Sequence, residues 1–325
     1  MLSYFDDLKT PDGAHLRYGI FRSEGAVRRG TMLLLTGRSE FLEKYAEVIL
    51  DLNHRGWDVF SFDWRGQGLS ARMLPNRHKG HIRDYGVYIG DLDLFLRRVV
   101  IPDAARPLAG LAHSMGAHIL VRYLAHQDRL FRRVVLTAPM IDIYTNIFPV
   151  AFARLLARAA TRLGRSHAYA LGEGDYRPPS LHAFRKNRLT TDYERYMSIH
   201  RRIERNPGLA LGGVTYGWLQ ATFESIDAMA APGFGRSIRT PVLMVSSGDD
   251  QVVPAGPQLT LCRGLEDCHF VSISGARHEI LMEQDQYRDA FWRAFDRFMA
   301  PEALVDGSAG LLQSASMASS ASHRE

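Results

Sequence analysis

A chain of 325 residues with 46% hydrophobic content is long enough for one large domain plus an insertion, or for two ordinary domains, and it falls in the globular class. Its net charge of +5 and pI near 9.3 come without the fingerprint of any nucleic-acid module, so nucleic acid is not expected as a partner. Two cysteines, Cys262 and Cys268, stand outside any zinc-like cluster and are expected to be reduced structural thiols; neither a metal nor a cofactor is implied.

The opening MLSYFDDLKT is acidic and lacks the basic and apolar regions of a secretory signal. Arginines interrupt every apolar run before it approaches the roughly 20 residues of a membrane-spanning helix. A cytoplasmic chain, soluble or peripheral at the inner face of the membrane, is therefore expected. TMLLLT (31–36) reads as a buried strand, followed by a helix on which Phe41, Tyr45, Val48, Ile49 and Leu52 recur at helical spacing. Trp57–Phe62 is a second strand ending in a glycine-rich loop. DYGVYIGDLDLFLRRVV reads as a helix with Tyr88, Leu92, Phe95, Leu96 and Val99 inward. PLAGLA is a strand, MGAHILVRYLAHQ a helix and RVVLTAP (133–139) a strand. Strands this apolar, separated by amphipathic helices, predict an α/β protein with a mostly parallel sheet buried on both faces.

The rhythm stops after Pro139 and resumes at TPVLMV, with about a hundred mostly helical residues between. The expected organisation is a core of 1–139 and 240–300, an inserted helical cap over 140–239, and a disordered Ser/Ala/Gly-rich tail at 301–325. Between Met140 and Thr240 there are 14 Lys and Arg against 8 Asp and Glu, so the insertion carries the whole positive excess. Its segment FPVAFARLLARAATRLGRS places Arg154, Arg158, Arg162 and Arg165 on one helical face, beside Phe152, Leu155, Leu156, Ala159 and Leu163. An ordinary cap helix packed on the core is the expected reading, and an interfacial helix on an anionic membrane is the alternative. A second helix presents Trp218, Leu219, Phe223 and Ile226, either to an acyl pocket or to the interior of the cap. CHFVSI and a closing helix with Phe291, Trp292, Phe295 and Phe298 on its apolar side complete the core.

The chemistry begins at GLAHSMG. Ser114 follows one strand directly and opens a helix, the context of a nucleophile elbow, in which small flanking residues let strand and helix approach. Gly116 meets that need, while Ala112 stands where a glycine is usual. A Ser at an ordinary helix N-cap is the rival reading. An alcohol becomes a nucleophile only with a base, an acid that orients the base, and donors for the oxyanion. On this type of sheet, acid and base follow the serine, each after a later strand. Asp250 in SSGDDQVVP fits the acid, with Asp249 a turn residue, and His278 in SGARHEI fits the base. His113 adjoins the serine and should point away from it; His269 precedes the last strand; His54, His118 and His126 fall on helices and should be partly exposed. The amides of Met115 and Arg38, the latter in TGRSE, are the candidate oxyanion donors. The Arg38 side chain reads equally as a solvated loop residue or as an anchor for the loop or an anionic head group. Asp63 lies before the serine, which favours a structural turn role.

With these residues in place the chain resembles the serine α/β-hydrolases of the lysophospholipase L2 and monoacylglycerol lipase group. The resemblance is strongest in TGRSEFLEKYAEVILDLNHRGWDVFSFDWRGQGLS and recurs in AHSMG, GDDQVV and GARHEIL. It implies the α/β-hydrolase fold with a cap or lid, a lipid-like carboxylic ester as substrate, and nucleophile, acid and base roles for Ser114, Asp250 and His278. A short-chain esterase, a peptidase, or a non-catalytic binding protein on the same fold are the alternatives. An Asp nucleophile, as in dehalogenases and epoxide hydrolases, does not fit. The basic cap leaves an anionic membrane surface as a candidate partner.

Overall fold

The computed structural model of the chain describes residues 2–25, 27–127, 129–145 and 148–300; the tail expected at 301–325 lies outside the described residues. Two strands, β1 (Leu2–Lys9) and β2 (His15–Arg22), form an antiparallel hairpin. Six more follow: β3 (Gly30–Leu35), β4 (Trp57–Phe62), β5 (Leu108–His113), β6 (Val134–Thr137), β7 (Val242–Ser247) and β8 (Cys268–Ile273). They join into one eight-stranded sheet of order β1-β2-β4-β3-β5-β6-β7-β8. β2 pairs with β4 antiparallel, and every pairing from β4 to β8 is parallel. The sheet is thus mostly parallel, as expected for apolar strands separated by helices.

The helices are α1 (Ala46–His54), α2 (Tyr85–Phe95), the single turn α3 (Ile101–Asp103), α4 (Ser114–Leu124), α5 (Val150–Arg162), α6 (Leu181–Lys186), α7 (Tyr193–Arg205), α8 (Tyr216–Met229), α9 (Ala255–Gly264) and α10 (Asp285–Met299). Side chains alternate across a strand, so β3 sends Met32 and Leu34 to one face and Leu33 and Leu35 to the other. The first pair packs with Val48, Ile49 and Leu52 of α1 and Phe291 and Phe295 of α10. The second packs with Leu92 and Phe95 of α2 and Ile119 and Leu120 of α4. Each such side chain, removed from water, contributes about 1.5–3 kcal/mol. β3 to β7 are buried along their whole length, whereas β8, at the edge, is only half-buried. In α2 the expected inward face holds through Phe95, but the chain then makes a π-helical turn, Leu96–Val100. The wider turn shifts the register, so that Val100 is buried and Val99 only partly.

The cysteines depart from expectation. Cys262, near the end of α9, and Cys268, at the start of β8, are disulfide-bonded with their Cα atoms 5.4 Å apart. The short connection from α9 back to the sheet edge brings them within bonding distance, a proximity that spacing alone did not reveal.

Between β6 and β7 the described chain contributes no strand to the sheet; its helix α7 lines a cavity with Ser114, at the carboxyl end of β5, and its helix α8 packs against α4. This segment is pinned to the core at several places. Gly212 N donates to His78 O (2.7 Å), Gly80 N to Gly213 O (2.9 Å) and Glu279 N to Leu189 O (2.8 Å). A buried pin joins α4 to α8, where the His118 Nε2 and Ser225 Oγ lie 2.5 Å apart and His118 Nδ1 faces Met140 O at 2.7 Å. His118 was expected to be partly exposed but is fully buried, because α4 carries residues from both the sheet side and the cap side inside. Burial lowers its pKa to about 4 and keeps it neutral.

Candidate active site

Ser114 sits at the junction of β5 and α4 with φ of 50°, a left-handed conformation that side chains other than glycine avoid. The turn is sharp because strand and helix run close together. A Cβ on Gly116 would lie 2.4 Å from Thr36 O and 2.9 Å from Leu35 O, so only glycine fits there. Ala112, two residues before Ser114, is fully buried in β5, paired with Leu136 and Leu35. Its methyl is accommodated in the sheet, and the turn keeps its form with alanine in place of the usual glycine.

Ser114, His278 and Asp250 come together in one line. The Ser114 Oγ lies 2.9 Å from His278 Nε2, and His278 Nδ1 lies 2.8 Å from Asp250 Oδ2. The other carboxylate oxygen, Oδ1, accepts from the amides of Val252 (2.7 Å) and Val253 (3.0 Å). Burial alone would raise the Asp250 pKa, but the hydrogen bonds from His278 and these two amides hold it below the usual carboxylate range. An ionised Asp250 accepts the Nδ1 proton, and that tautomer leaves Nε2 free to accept the Ser114 hydroxyl proton. Asp249 is exposed, and its amide binds Ala276 O at 2.9 Å, as suits a turn residue.

The loop after β3 lies against the first turn of α4, since Thr36 O and Leu35 O face Gly116. It carries Gly37 and Arg38, and among the described residues neither the Arg38 amide nor the Met115 amide donates a hydrogen bond. The Arg38 side chain is half-buried and anchors the insertion. Its Nη2 donates to Gly212 O at 2.7 Å, and its guanidinium lies 5.4 Å from the Trp218 ring centre. Burial lowers its pKa against the opposing charge of Glu173.

Two cavities meet at the site. One, about 390 Å³, is lined by Ser114, His278, His113, Lys44, Glu279 and residues of α7. The other, about 270 Å³, is walled by Ile143, Phe148, Leu156, Tyr216, Trp218 and Leu219. Both share Arg38, Glu173 and Val252. A larger open groove of about 770 Å³, along α9, does not reach Ser114. The expected face of α8 is divided between two tasks. Trp218 and Leu219 line the second cavity, whereas Phe223 and Ile226 pack with Ala157 of α5.

Sequence reasoning missed a buried charge cluster beside His278. Lys44 Nζ lies 2.5 Å from Glu40 Oε1 and 2.7 Å from Glu279 Oε1, and the Tyr45 hydroxyl donates to Glu40 Oε2 at 2.7 Å. The i, i+4 spacing of Glu40 and Lys44 was visible, but such pairs usually mark a solvated helix face. Glu279 follows His278 by one residue, and nothing in its spacing announced burial. The His113 ring lies 4.9 Å from that of His278, and its Nδ1 faces Thr137, away from Ser114 as expected; burial lowers its pKa to about 3.

The remaining candidates fall outside the line. His269 is the second residue of β8 rather than preceding it, and is exposed. His54 is exposed, as is His126, just beyond the end of α4. Asp63 accepts from the amides of Leu42 and Leu69 (2.9 Å each) and pairs with Arg17 at 3.3 Å, a structural role; burial pushes it up to about 6. No group of three or more His, Cys, Asp or Glu among the described residues could hold a metal ion.

The chain is similar to lysophospholipase L2 of Escherichia coli (strain K12), 31% identical over 301 residues, covering 89% of this chain and 86% of that one. It is similar also to the probable lysophospholipase L2 of Haemophilus influenzae, 30% identical over 280 residues, covering 86% of each. Among solved structures, a soluble variant of monoglyceride lipase from Saccharomyces cerevisiae, in complex with a substrate analog, superposes with a TM-score of 0.71 at 17% identity, covering 92% of this chain and 96% of that one. That likeness shows the fold. The family profile Hydrolase_4, described as serine aminopeptidase S33, matches residues 26–285. The chain belongs to the Hydrolase_4 (serine aminopeptidase S33) family, and its fold is that of the α/β hydrolases.

Proposed function

We propose that the chain is a cofactor-independent serine hydrolase that cleaves the carboxylic ester of a lysophospholipid or monoacylglycerol through an acyl-enzyme. The observation that carries this reading is the Ser114–His278–Asp250 line, with contacts of 2.9 and 2.8 Å, in the wall of the 390 Å³ cavity that adjoins the largely apolar 270 Å³ cavity at Arg38, Glu173 and Val252. The Ser114 Oγ attacks the ester carbonyl while its proton passes to His278 Nε2; Asp250 holds the ring and stabilises its cation. The Met115 and Arg38 amides receive the oxyanion. The alcohol leaves with the proton from His278, and water then attacks the acyl-enzyme, returning a proton through His278 to Ser114. Residues 1–139 and 240–300 act as the catalytic core and 140–239 as the cap that shapes the acyl cavity. The names of the lysophospholipase and monoglyceride lipase relatives support the lipid class.

An acyl-length series of esters tests the reading. Each buried methylene contributes about 0.8 kcal/mol, roughly fourfold in kcat/KM, until the cavity is full. An increase of at least a hundredfold from acetyl to octanoyl esters is expected. A flat series, or faster cleavage of peptide amides than of esters, sinks the lipid reading in favour of a short-chain esterase or a peptidase.

The cap also supports association with an anionic membrane. In α5 Ala157 is the fully buried residue and Leu156 is half-buried against the 270 Å³ cavity, whereas Leu155 is 65% exposed and Leu163, just past the helix, 79%. This reverses the expected arrangement, in which the apolar stripe packed on the core. The close contact of α5 with α8 admits alanines and turns the larger side chains out. Phe152, Tyr144 and Leu171 extend the apolar patch to the mouth of the 270 Å³ cavity, and Arg158, Arg162 and Arg165 are exposed around it. Arg154 is drawn aside to Asp227, at 2.8 Å. No helix among the described residues is long and apolar enough to cross a membrane. Disulfides persist mainly in oxidising compartments, so the Cys262–Cys268 bond speaks against the expected cytoplasmic address, and the proposal names the membrane surface and not its side. Replacing both Leu155 and Leu163 by Asp should weaken co-sedimentation with anionic vesicles at least tenfold, and unchanged binding would remove α5 as the docking surface.

A further inference from the structure

We infer that the cavity beside Ser114 holds a subsite for a zwitterionic phospho-ammonium head group, in which Glu279 receives the ammonium and Arg38 the phosphodiester. The inference rests on the reading of Ser114 as the nucleophile of a lipid hydrolase, and adds what the leaving alcohol carries.

Glu279 is 6% exposed, and its two oxygens differ. Oε1 is held by Lys44 at 2.7 Å, whereas Oε2 is buried without a partner among the described residues. Glu40, on the other side of Lys44, has no such vacancy. Its Oε1 binds Lys44, and its Oε2 accepts from the Tyr45 hydroxyl and the Gly37 amide. One lysine thus serves two carboxylates, and the unmatched acceptor falls on Glu279, in the wall of the cavity that holds Ser114 and His278. A buried carboxylate oxygen left in this way is costly unless a ligand supplies a donor. Burial pushes the Glu279 pKa up, with Lys44 opposing, and an incoming cation would favour its ionised form. Tyr176, Tyr196 and His200 line the same cavity, the last two 4.7 Å apart. Aromatic rings beside a carboxylate suit an ammonium group.

The second unmatched group has the opposite sign. Arg38 also lines this cavity, and its Nε is buried without an acceptor, although Nη2 is occupied by Gly212 O. Glu173, the carboxylate that faces it, is exposed. A guanidinium N–H without a partner is a donor suited to a phosphodiester oxygen. A phosphate alone would leave Glu279 unmatched, an ammonium alone would leave Arg38, and glycerol carries neither charge. A head group with both satisfies both.

Calorimetric titration of the full chain with glycerophosphoethanolamine and with glycerol 3-phosphate tests the subsite without turnover. The wild-type chain should bind the zwitterion at least tenfold more tightly. Glu279→Gln should reduce that advantage to within twofold, and Arg38→Met should weaken both ligands at least tenfold. Glu279→Gln keeps the Lys44–Glu40 pair, and Glu279→Asp, with its shorter reach, should give an intermediate advantage. In turnover, Glu279→Gln should lower the ratio of kcat/KM for lysophosphatidylethanolamine to that for monoacylglycerol at least tenfold. Absence of zwitterion binding by the wild-type chain, or an advantage that survives in Glu279→Gln, overturns the inference. Failure of a fluorophosphonate probe to label Ser114 would strike the hydrolase reading alone, because the titrations decide the subsite either way.

Discussion

Ser114→Ala is expected to lower ester hydrolysis by more than 10⁴-fold, on the order seen when a triad nucleophile is removed, and to abolish labelling by a fluorophosphonate. The geometry makes the loss selective. Ser114 Oγ is the atom that reaches His278 Nε2, and its 50° φ comes from the crowded turn at Gly116, which alanine preserves. The variant should therefore fold and still bind substrate. His278→Ala should lose about as much, and Ser114→Ala/His278→Ala no more than either alone, since the groups act as one unit. Asp250→Asn should cost roughly 10³–10⁴-fold, because an amide in place of Oδ2 favours the wrong imidazole tautomer. Labelling that persists in Ser114→Ala, or turnover above 1% of wild type, would exclude Ser114 as the nucleophile.

The sequence made legible what local pattern encodes. Buried parallel strands such as β3, with its run Met32–Leu35, announce themselves by unbroken apolar stretches, and α10 by the spacing of Phe291, Trp292 and Phe295. Ser114, Asp250 and His278 were legible because each follows a strand, and strand ends in a parallel sheet converge on one edge. Features set by tertiary contact were not legible. β1 is exposed through most of its length and has no clean alternation, although Leu16, Tyr18 and Ile20 in β2 offered one. The Cys262–Cys268 bond, the burial of His118 against Ser225, and the outward face of α5 each depend on which element packs alongside. The charge cluster is the plainest case, since Glu40 and Glu279 meet only through Lys44.

That cluster sets the second large effect. Lys44→Met should destabilise the chain by about 3–5 kcal/mol near pH 8, measured by urea unfolding, because removing one member of a buried ionic group leaves its partners uncompensated. The Lys44 side chain is 2% exposed, those of Glu40 and Glu279 3% and 7%, so water cannot substitute for the ammonium. Methionine keeps most of the stem's volume, which leaves charge as the main change. Burial works to lower the Lys44 pKa, but Glu279 and Glu40 outweigh it, and Lys44 in turn holds Glu40 below its ordinary value against burial. Without the lysine, the folded-state carboxyl pKa values rise above the unfolded value near 4.5. The folded variant then binds more protons than the unfolded chain between those values, so its stability falls as pH rises through the folded pKa. The deficit should accordingly shrink between pH 8 and pH 5, as one carboxyl takes up a proton in place of the ammonium charge. Glu279→Gln added to Lys44→Met should recover more than half of the loss, a coupling that independent sites would not show. A deficit below 1 kcal/mol, or one that does not change with pH, would mean that Lys44 does not neutralise the cluster, and the unmatched oxygen of Glu279 would lose its electrostatic meaning.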